Sequence, residues 1–135
     1  MTIFSHVALG TNDLAKAEKF YDAILAPLGI VQKGAYGDSG TMWGAEGVDD
    51  GKNGIELIIT RPGDGKPATH ANGGTIAFLA PDRAAVRAFY EAALAKGGTQ
   101  EFAPGPRGFT PTAYAAYVRD PDGNKLTAYS FKDEQ

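Results

Sequence analysis

SHVALGTNDLAKAEKFYDAIL (residues 5–25) aligns without a gap with GTIAFLAPDRAAVRAFYEAAL (residues 74–94), at a constant offset of 69 positions. Each stretch reads as a strand, then an aspartate that starts a helix (Asp13 and Asp82), then a helix that carries a Phe-Tyr pair. A repeat of this length predicts two supersecondary modules related by a pseudo-two-fold axis. A site on that axis is expected to draw equivalent positions from both halves.

The first module is predicted to contain a strand, a helix and three further strands. Residues 3–10 alternate as a strand does, and Asn12 or Asp13 is suited to cap the helix that follows. Apolar residues recur at helical spacing up to Leu28, which gives this helix one buried stripe. The three strands are predicted at residues 30–36, 41–46 and 54–60.

The second module repeats this order after a linker at residues 61–73, which is dense in turn-forming residues. The predicted elements are a strand at 75–80, a helix at 82–95 and strands near 99–102, 113–119 and 124–130. The Pro- and Gly-rich residues 104–111 are expected to form an irregular, functional loop, because proline removes a backbone donor. We expect a single domain, with module 1 at about residues 2–60 and module 2 at about residues 74–132.

Composition and charge exclude several classes of function. The chain has 135 residues, no cysteine and a formal net charge of −3, with no basic stripe. Disulfides and thiolate chemistry are therefore excluded, and no nucleic-acid partner is expected. No apolar run approaches the span of a bilayer, and the first residues do not read as an export signal, so we expect no membrane partner and a cytoplasmic location.

The repeat and one late turn carry a resemblance to a known family. The opening SHVAL (residues 5–9) before an Asp-started helix, and the turn DPDGN (residues 120–124) before the last strand, resemble the vicinal oxygen chelate superfamily. That superfamily includes glyoxalase I, extradiol dioxygenases and bleomycin-resistance proteins. The resemblance spans essentially the whole chain. It implies an α+β fold in which two βαβββ modules form a cupped mixed β-sheet, with the helices packed on its outer face.

Strand alternation predicts which side chains face the cup. The apolar positions of the strands are assigned to the helices, which leaves four polar side chains on the other face: His6, Glu56, Thr75 and Thr127. In this assignment Glu56 is aligned with Thr127 by matching the Asp-Gly pairs at residues 50–51 and 122–123 and allowing a gap of one residue. The four side chains are then expected to form one symmetric quartet.

The resemblance implies a divalent metal held by His or Gln from the first and fifth strands and by Glu from the fourth and eighth. His6 and Glu56 match this pattern. Thr75 and Thr127 depart from it, because neutral hydroxyls are poor ligands and two protein ligands rarely hold a transition ion tightly. Two interpretations stay open: a divalent metal held weakly by His6 and Glu56, or no metal and an ion pair or hydrogen bond between them. Without a metal, these two residues are suited to act as catalytic acid and base, whether Glu56 is ionised beside His6 or desolvated without a partner.

Aromatic side chains and one arginine are further candidates for ligand binding. The aromatic candidates on predicted cup strands or on the irregular loop are Trp43, Phe109, Tyr114 and Tyr129. They are expected to line a small-molecule pocket, or alternatively to form a dimer contact. Arg107 has the planar fork that binds a carboxylate or phosphate, or it is an ordinary surface charge. Thr75 and Thr127 complete the predicted ligand-binding set.

The predicted function is that of a glyoxalase/bleomycin-resistance/dioxygenase-like protein, a homodimer with a cup-shaped pocket that binds a small organic molecule. The alternative is a lyase or isomerase of the glyoxalase type that uses His6 and Glu56, either with a divalent metal or as an acid–base pair. The sequence leaves open whether the protein is an enzyme.

Overall fold

The computed structural model describes residues 3–48, 56–108 and 110–134, and it confirms two βαβββ modules. The first contains β1 (His6–Gly10), α1 (Leu14–Leu25), β2 (Ile30–Tyr36), β3 (Gly40–Ala45) and β4 (Glu56–Thr60), with a short 3₁₀ helix at Ala26–Leu28. The second contains β5 (Ile76–Leu79), α2 (Arg83–Ala95), β6 (Thr99–Pro106), β7 (Tyr114–Arg119) and β8 (Lys125–Ser130). The predicted start of the fourth strand at 54–55, the Asp-Gly pair at 50–51 and Phe109 lie outside the described residues.

Each module forms its own four-stranded mixed sheet, with the orders β1-β4-β3-β2 and β5-β8-β7-β6. The first strand of each module pairs in parallel with the last, and the remaining pairs are antiparallel. Val7 pairs with Leu57, and Ile76 pairs with Leu126. The offset of 69 positions seen in the sequence repeat therefore holds again between β4 and β8.

Both helices begin at an aspartate, as predicted. Of the two candidate caps of α1, Asp13 takes that place: its Oδ1 accepts a hydrogen bond of 3.1 Å from the amide of Lys16. Asp82 caps α2 in the same way, at 2.8 Å from the amide of Ala85. Such caps satisfy amides that the first helical turn leaves unpaired. No described helix is long and apolar enough to cross a membrane.

The core lies between the helices and one face of each sheet. The Phe-Tyr pairs of the repeat contribute Phe20, Tyr21 and Phe89, which have no solvent exposure, as the helical spacing predicted. α1 and α2 also contact each other, so the two modules share this core. Burying one such aromatic side chain stabilises the fold by roughly 1.5–3 kcal/mol.

The DPDGN turn at residues 120–124 joins the second module to the start of α1. Gly123 has φ of 91°, which confirms the positive backbone angle predicted for the Asp-Gly step. Asp122 accepts a hydrogen bond of 2.6 Å from the hydroxyl of Thr11, and the side-chain amide of Asn124 donates to the carbonyl at the end of β1 at 3.0 Å. The turn therefore holds the modules together at one end of the strands.

The strand β6 is longer than the sequence predicted. It continues through Pro104–Pro106, so the expectation of an irregular loop beginning at residue 104 is wrong for these residues. β6 is an edge strand, where a missing N–H deprives no neighbouring strand of a hydrogen bond. Shifts of register between Phe102 and Gly105 absorb the irregularity as a bulge. Arg107 follows directly after the strand.

Candidate functional site

The two faces of each sheet separate the core from the predicted cup. Val7 and Leu57 on the first sheet, and Ile76 and Leu126 on the second, pack into the shared core on the helix side. Successive side chains of a strand point to opposite faces, so their neighbours point away from the helices. We call this opposite side the cup face.

The cup face of the first sheet carries His6 and Glu56 as register partners of β1 and β4. His6 is exposed, and its Nδ1 lies 2.8 Å from the hydroxyl of Ser5. One carboxylate oxygen of Glu56, Oε2, is buried and has no hydrogen-bond partner among the described residues. The two side chains are thus neighbours on one face, and within the described part of the chain neither a hydrogen bond nor an ion pair joins them.

The structure corrects the fourth member of the predicted quartet. The parallel ladders share the offset of 69, so the residue that corresponds to Glu56 is Lys125, not Thr127. Thr127 pairs instead with Ala77. Its hydroxyl is buried and donates a hydrogen bond of 2.7 Å to the carbonyl of Ala116. Matching the Asp-Gly pairs aligned Glu56 with Thr127, two residues further along β8 than the strand register places it.

Trp43 lies in the core, so its predicted place on the cup face is wrong. It is the register partner of Leu57 and shares the helix side with it. The side chain is fully buried, and its indole Nε1 donates a hydrogen bond of 2.9 Å to a carboxylate oxygen of Asp22 on α1. The centroid of its ring lies 5.6 Å from that of Tyr21.

Tyr114 also lies on the helix side, which corrects its predicted place on the cup face. Its ring packs under two guanidinium groups of α2, at 4.9 Å from Arg83 and 6.0 Å from Arg87. The sequence had not fixed the phase of β7, whose cup face is formed by Ala115, Tyr117 and Arg119. The remaining aromatic candidate, Phe109, is outside the described residues.

The cup face of the second sheet gathers aromatic rings and cations that we call the aromatic–cation cluster: Phe102, Arg107, Tyr117, Lys125, Tyr129 and Phe131. Tyr117 is its centre, with its hydroxyl 2.5 Å from that of Tyr129. The guanidinium of Arg107 lies 5.3 Å from the Tyr117 ring centroid, and Nζ of Lys125 lies 5.4 Å from it. The structure thus brings the predicted residues Arg107 and Tyr129 together.

The protonation of the cluster follows from its packing. Burial raises the pKa of Tyr129, the hydrogen bond with Tyr117 raises it further, and Arg107 acts in the opposite direction. The phenol is therefore neutral at physiological pH. At the rim, Arg119 lowers the pKa of Glu101 through an ion pair of 2.9 Å, with a smaller contribution from Lys125.

Two cavities share Ala77 and Phe78, and only the smaller one borders the cluster. One, of about 280 Å³, is lined by Ala77, Phe78, Leu79, Tyr129 and Phe131. The other, of about 450 Å³, has an almost wholly apolar lining that includes Val7, Leu57 and Ile76, so it lies largely on the helix side of the two sheets. Trp43 and Thr75, two predicted ligand-binding residues, border this larger cavity. Apolar cavities of this size next to a few polar groups are typical of small-molecule sites.

The donor set does not fit a resident divalent metal. His6 and Glu56 supply one imidazole and one carboxylate, and the equivalent pair in the second module is Thr75 with Lys125. A hydroxyl and an ammonium do not replace the missing ligands, because a transition ion in a protein needs three or four good donors. No group of three or more metal-binding side chains is found within residues 3–48, 56–108 and 110–134.

Comparison with known proteins agrees with this architecture. Residues 3–127 match the family model described as the Glyoxalase/Bleomycin resistance protein/Dioxygenase superfamily. A solved glyoxalase/bleomycin resistance protein from Albidiferax ferrireducens T118 is 42% identical, covers 96% of this chain and 98% of its own, and superposes with a TM-score of 0.83. No curated protein matches the chain.

More distant solved structures share the fold alone. A glyoxalase-related enzyme from Fulvimarina pelagi is 17% identical, with 96% of this chain and 88% of that chain covered and a TM-score of 0.72. A lactoylglutathione lyase from Agrobacterium tumefaciens is 22% identical, with 96% and 94% covered and a TM-score of 0.62.

Proposed function

Because the chain belongs to the Glyoxalase/Bleomycin resistance protein/Dioxygenase superfamily, we propose that it binds a small organic molecule on the cup face of its second module, without a resident metal. The observation that carries this proposal is the aromatic–cation cluster beside the cavity of about 280 Å³. Arg107 and Tyr129, both predicted from the sequence, are its polar centre, with Thr75 at the border of the larger cavity.

The donor chemistry favours binding over metal-centred catalysis in this chain. His6 and Glu56 are two ligands where three or four are needed. The second module adds a cation, Lys125, at the place equivalent to Glu56. The ligand is therefore held by the protein's own cations, phenols and aromatic faces.

A second candidate function is a metal-independent lyase or isomerase of the glyoxalase type. The observation that favours it is the buried Oε2 of Glu56, which has no partner among the described residues and is available to accept a proton from a substrate. His6, its exposed register partner, is the second acid–base group in this scheme.

We further propose that the protein acts as a homodimer. β1 and β5 are edge strands, and Leu79 on β5 is 71% exposed. Exposed apolar side chains along an edge strand favour association with another chain. A second copy of the chain is the partner that fits, since the superfamily often forms dimers.

The binding proposal is tested by screening a small-molecule fragment library against the uniformly ¹⁵N-labelled protein by two-dimensional NMR. Fragments that bind are expected to shift the amide signals of β7 and β8. Tyr129→Ala and Arg107→Ala should each weaken the affinity for these fragments, whereas His6→Ala should leave it unchanged. The reverse ranking, with loss only in His6→Ala, would support the second candidate function instead.

A further inference from the structure

The charges of the aromatic–cation cluster are not balanced. Arg119 is paired with Glu101, whose pKa Lys125 also lowers, whereas Arg107 and Lys125 form no ion pair of their own with a carboxylate of the described residues. Both cations lie within 6 Å of the same ring, that of Tyr117. Each of these cations attracts an anion, and no carboxylate of the described residues satisfies that attraction with an ion pair.

The cations are also held in place by aromatic faces. The guanidinium carbon of Arg107 lies 4.2 Å from the ring centroid of Phe102 and 5.3 Å from that of Tyr117. Cation–π contacts of this kind fix the direction of the planar guanidinium group. An oriented guanidinium presents parallel N–H donors that match the two oxygens of a carboxylate.

Flat apolar surface lies next to these cations. The rings of Tyr129 and Phe131 are stacked, with centroids 5.7 Å apart and planes 16° from parallel, and Phe131 is 46% exposed. Both rings line the cavity of about 280 Å³ that adjoins the larger apolar cavity. An aromatic ring of a ligand can stack on such a surface while its substituent reaches the cations.

We propose that the ligand is an aromatic carboxylate, whose charge is bound by Arg107 and Lys125 and whose ring lies against Tyr129 and Phe131. This inference rests on the proposed function and adds the chemical class of the ligand. Lys125 gives the second module a fixed positive charge at the position equivalent to Glu56, so the protein itself supplies the cation that the carboxylate needs.

The inference is tested with a matched pair of probes, 2-naphthoate and its neutral amide 2-naphthamide, by isothermal titration calorimetry. We expect 2-naphthoate to bind at least about tenfold more tightly than the amide, because charge-assisted hydrogen bonds are about twice as strong as neutral ones. Lys125→Met and Arg107→Met should each weaken 2-naphthoate by about five- to tenfold and change the amide less than about twofold.

The controls separate charge from folding. Lys125→Arg keeps the charge and should retain most of the affinity, and Lys19→Met removes one positive charge from an exposed position of α1 and should change nothing. Equal affinity for the two probes, with both lost in Tyr129→Ala, would overturn the carboxylate assignment and leave the proposed binding function standing. Binding of neither probe would overturn both.

Discussion

The phenol of Tyr21 on α1 donates a hydrogen bond of 2.5 Å to Oδ2 of Asp120, 99 residues later in the chain. Both side chains are buried. The second oxygen of Asp120 accepts the amides of Asp122 and Asn124, each at 2.9 Å, so the carboxylate organises the DPDGN turn from inside. The contact ties the helix of the first module to the turn that precedes the last strand of the second.

Tyr21→Phe is expected to lower the free energy of unfolding by about 1.5–3 kcal/mol, because a buried carboxylate loses one of its hydrogen-bond donors. Urea denaturation followed by circular dichroism measures this loss. The matched control is Tyr90→Phe at the equivalent position of α2, where the hydroxyl donates to the exposed Gln100. A smaller loss in Tyr21→Phe than in Tyr90→Phe would contradict the role assigned to Asp120.

Stability should also fall at alkaline pH because of Tyr21. Burial, followed by the charge of Asp120 and the hydrogen bond to it, raises the pKa of Tyr21 well above 10. The contribution of Tyr21 to the free energy of unfolding is complete below pH 10, where its phenol is protonated in both the folded and the unfolded state. It is lost progressively above pH 10, where only the unfolded state releases the proton. The expected slope is up to about 1.4 kcal/mol per pH unit, and it should be shallower in Tyr21→Phe.

Trp43, the single tryptophan, should behave as a core residue. Trp43→Phe is expected to destabilise the protein by about 1–3 kcal/mol, because it removes buried volume and the hydrogen bond to Asp22. A double-mutant cycle with Asp22→Ala should give a coupling energy of about 1 kcal/mol. A coupling energy near zero would show that the indole hydrogen bond does not stabilise the fold.

Divalent metals should not stabilise the folded protein. With Zn²⁺, Ni²⁺ or Mn²⁺ at about 1 mM, we expect the melting temperature to change by less than about 1 °C, since a ligand that binds only the folded state would raise it. Differential scanning fluorimetry of the wild type and of Glu56→Gln makes the comparison. A rise in melting temperature that disappears in Glu56→Gln would show that a metal binds at Glu56.

The exposed edge of β5 should control association. Leu79→Asp is expected to shift the protein toward the monomer in sedimentation velocity, because it places a charge on the apolar edge proposed to contact the second copy. Leu94→Asp is the matched control, since Leu94 is 39% exposed but lies on α2. An unchanged sedimentation coefficient in Leu79→Asp would contradict this dimer surface.

Most predictions that depend on local chemistry agree with the structure, although β6 continues through Pro104–Pro106, where a loop was predicted. Asp13 and Asp82 start their helices, Gly123 adopts its positive φ, and the alternation of β1, β4 and β5 separates the core face from the cup face. These features depend on one residue and its close neighbours, so a single sequence contains the information that they need.

Predictions of the site were wrong where they depended on how two distant segments of the chain pair. The register of β8 against β5 decides that Lys125, and not Thr127, corresponds to Glu56. The phase of β7 decides that Tyr117 faces the cup while Tyr114 packs on α2. A shift of one residue reverses the face of a whole strand, and a short motif such as Asp-Gly does not fix it.

The sequence by itself determined the duplicated βαβββ modules, their helix starts and the turn that joins them, because a repeated pattern of apolar and capping residues specifies local structure twice over. Only the tertiary structure decided which side chains share a surface. Phe102, Tyr117 and Lys125 come from three different strands, and hydrogen-bond register between those strands brings Phe102 and Lys125 to the ring of Tyr117. Register is a property of paired segments, so it becomes visible only when the chain is folded.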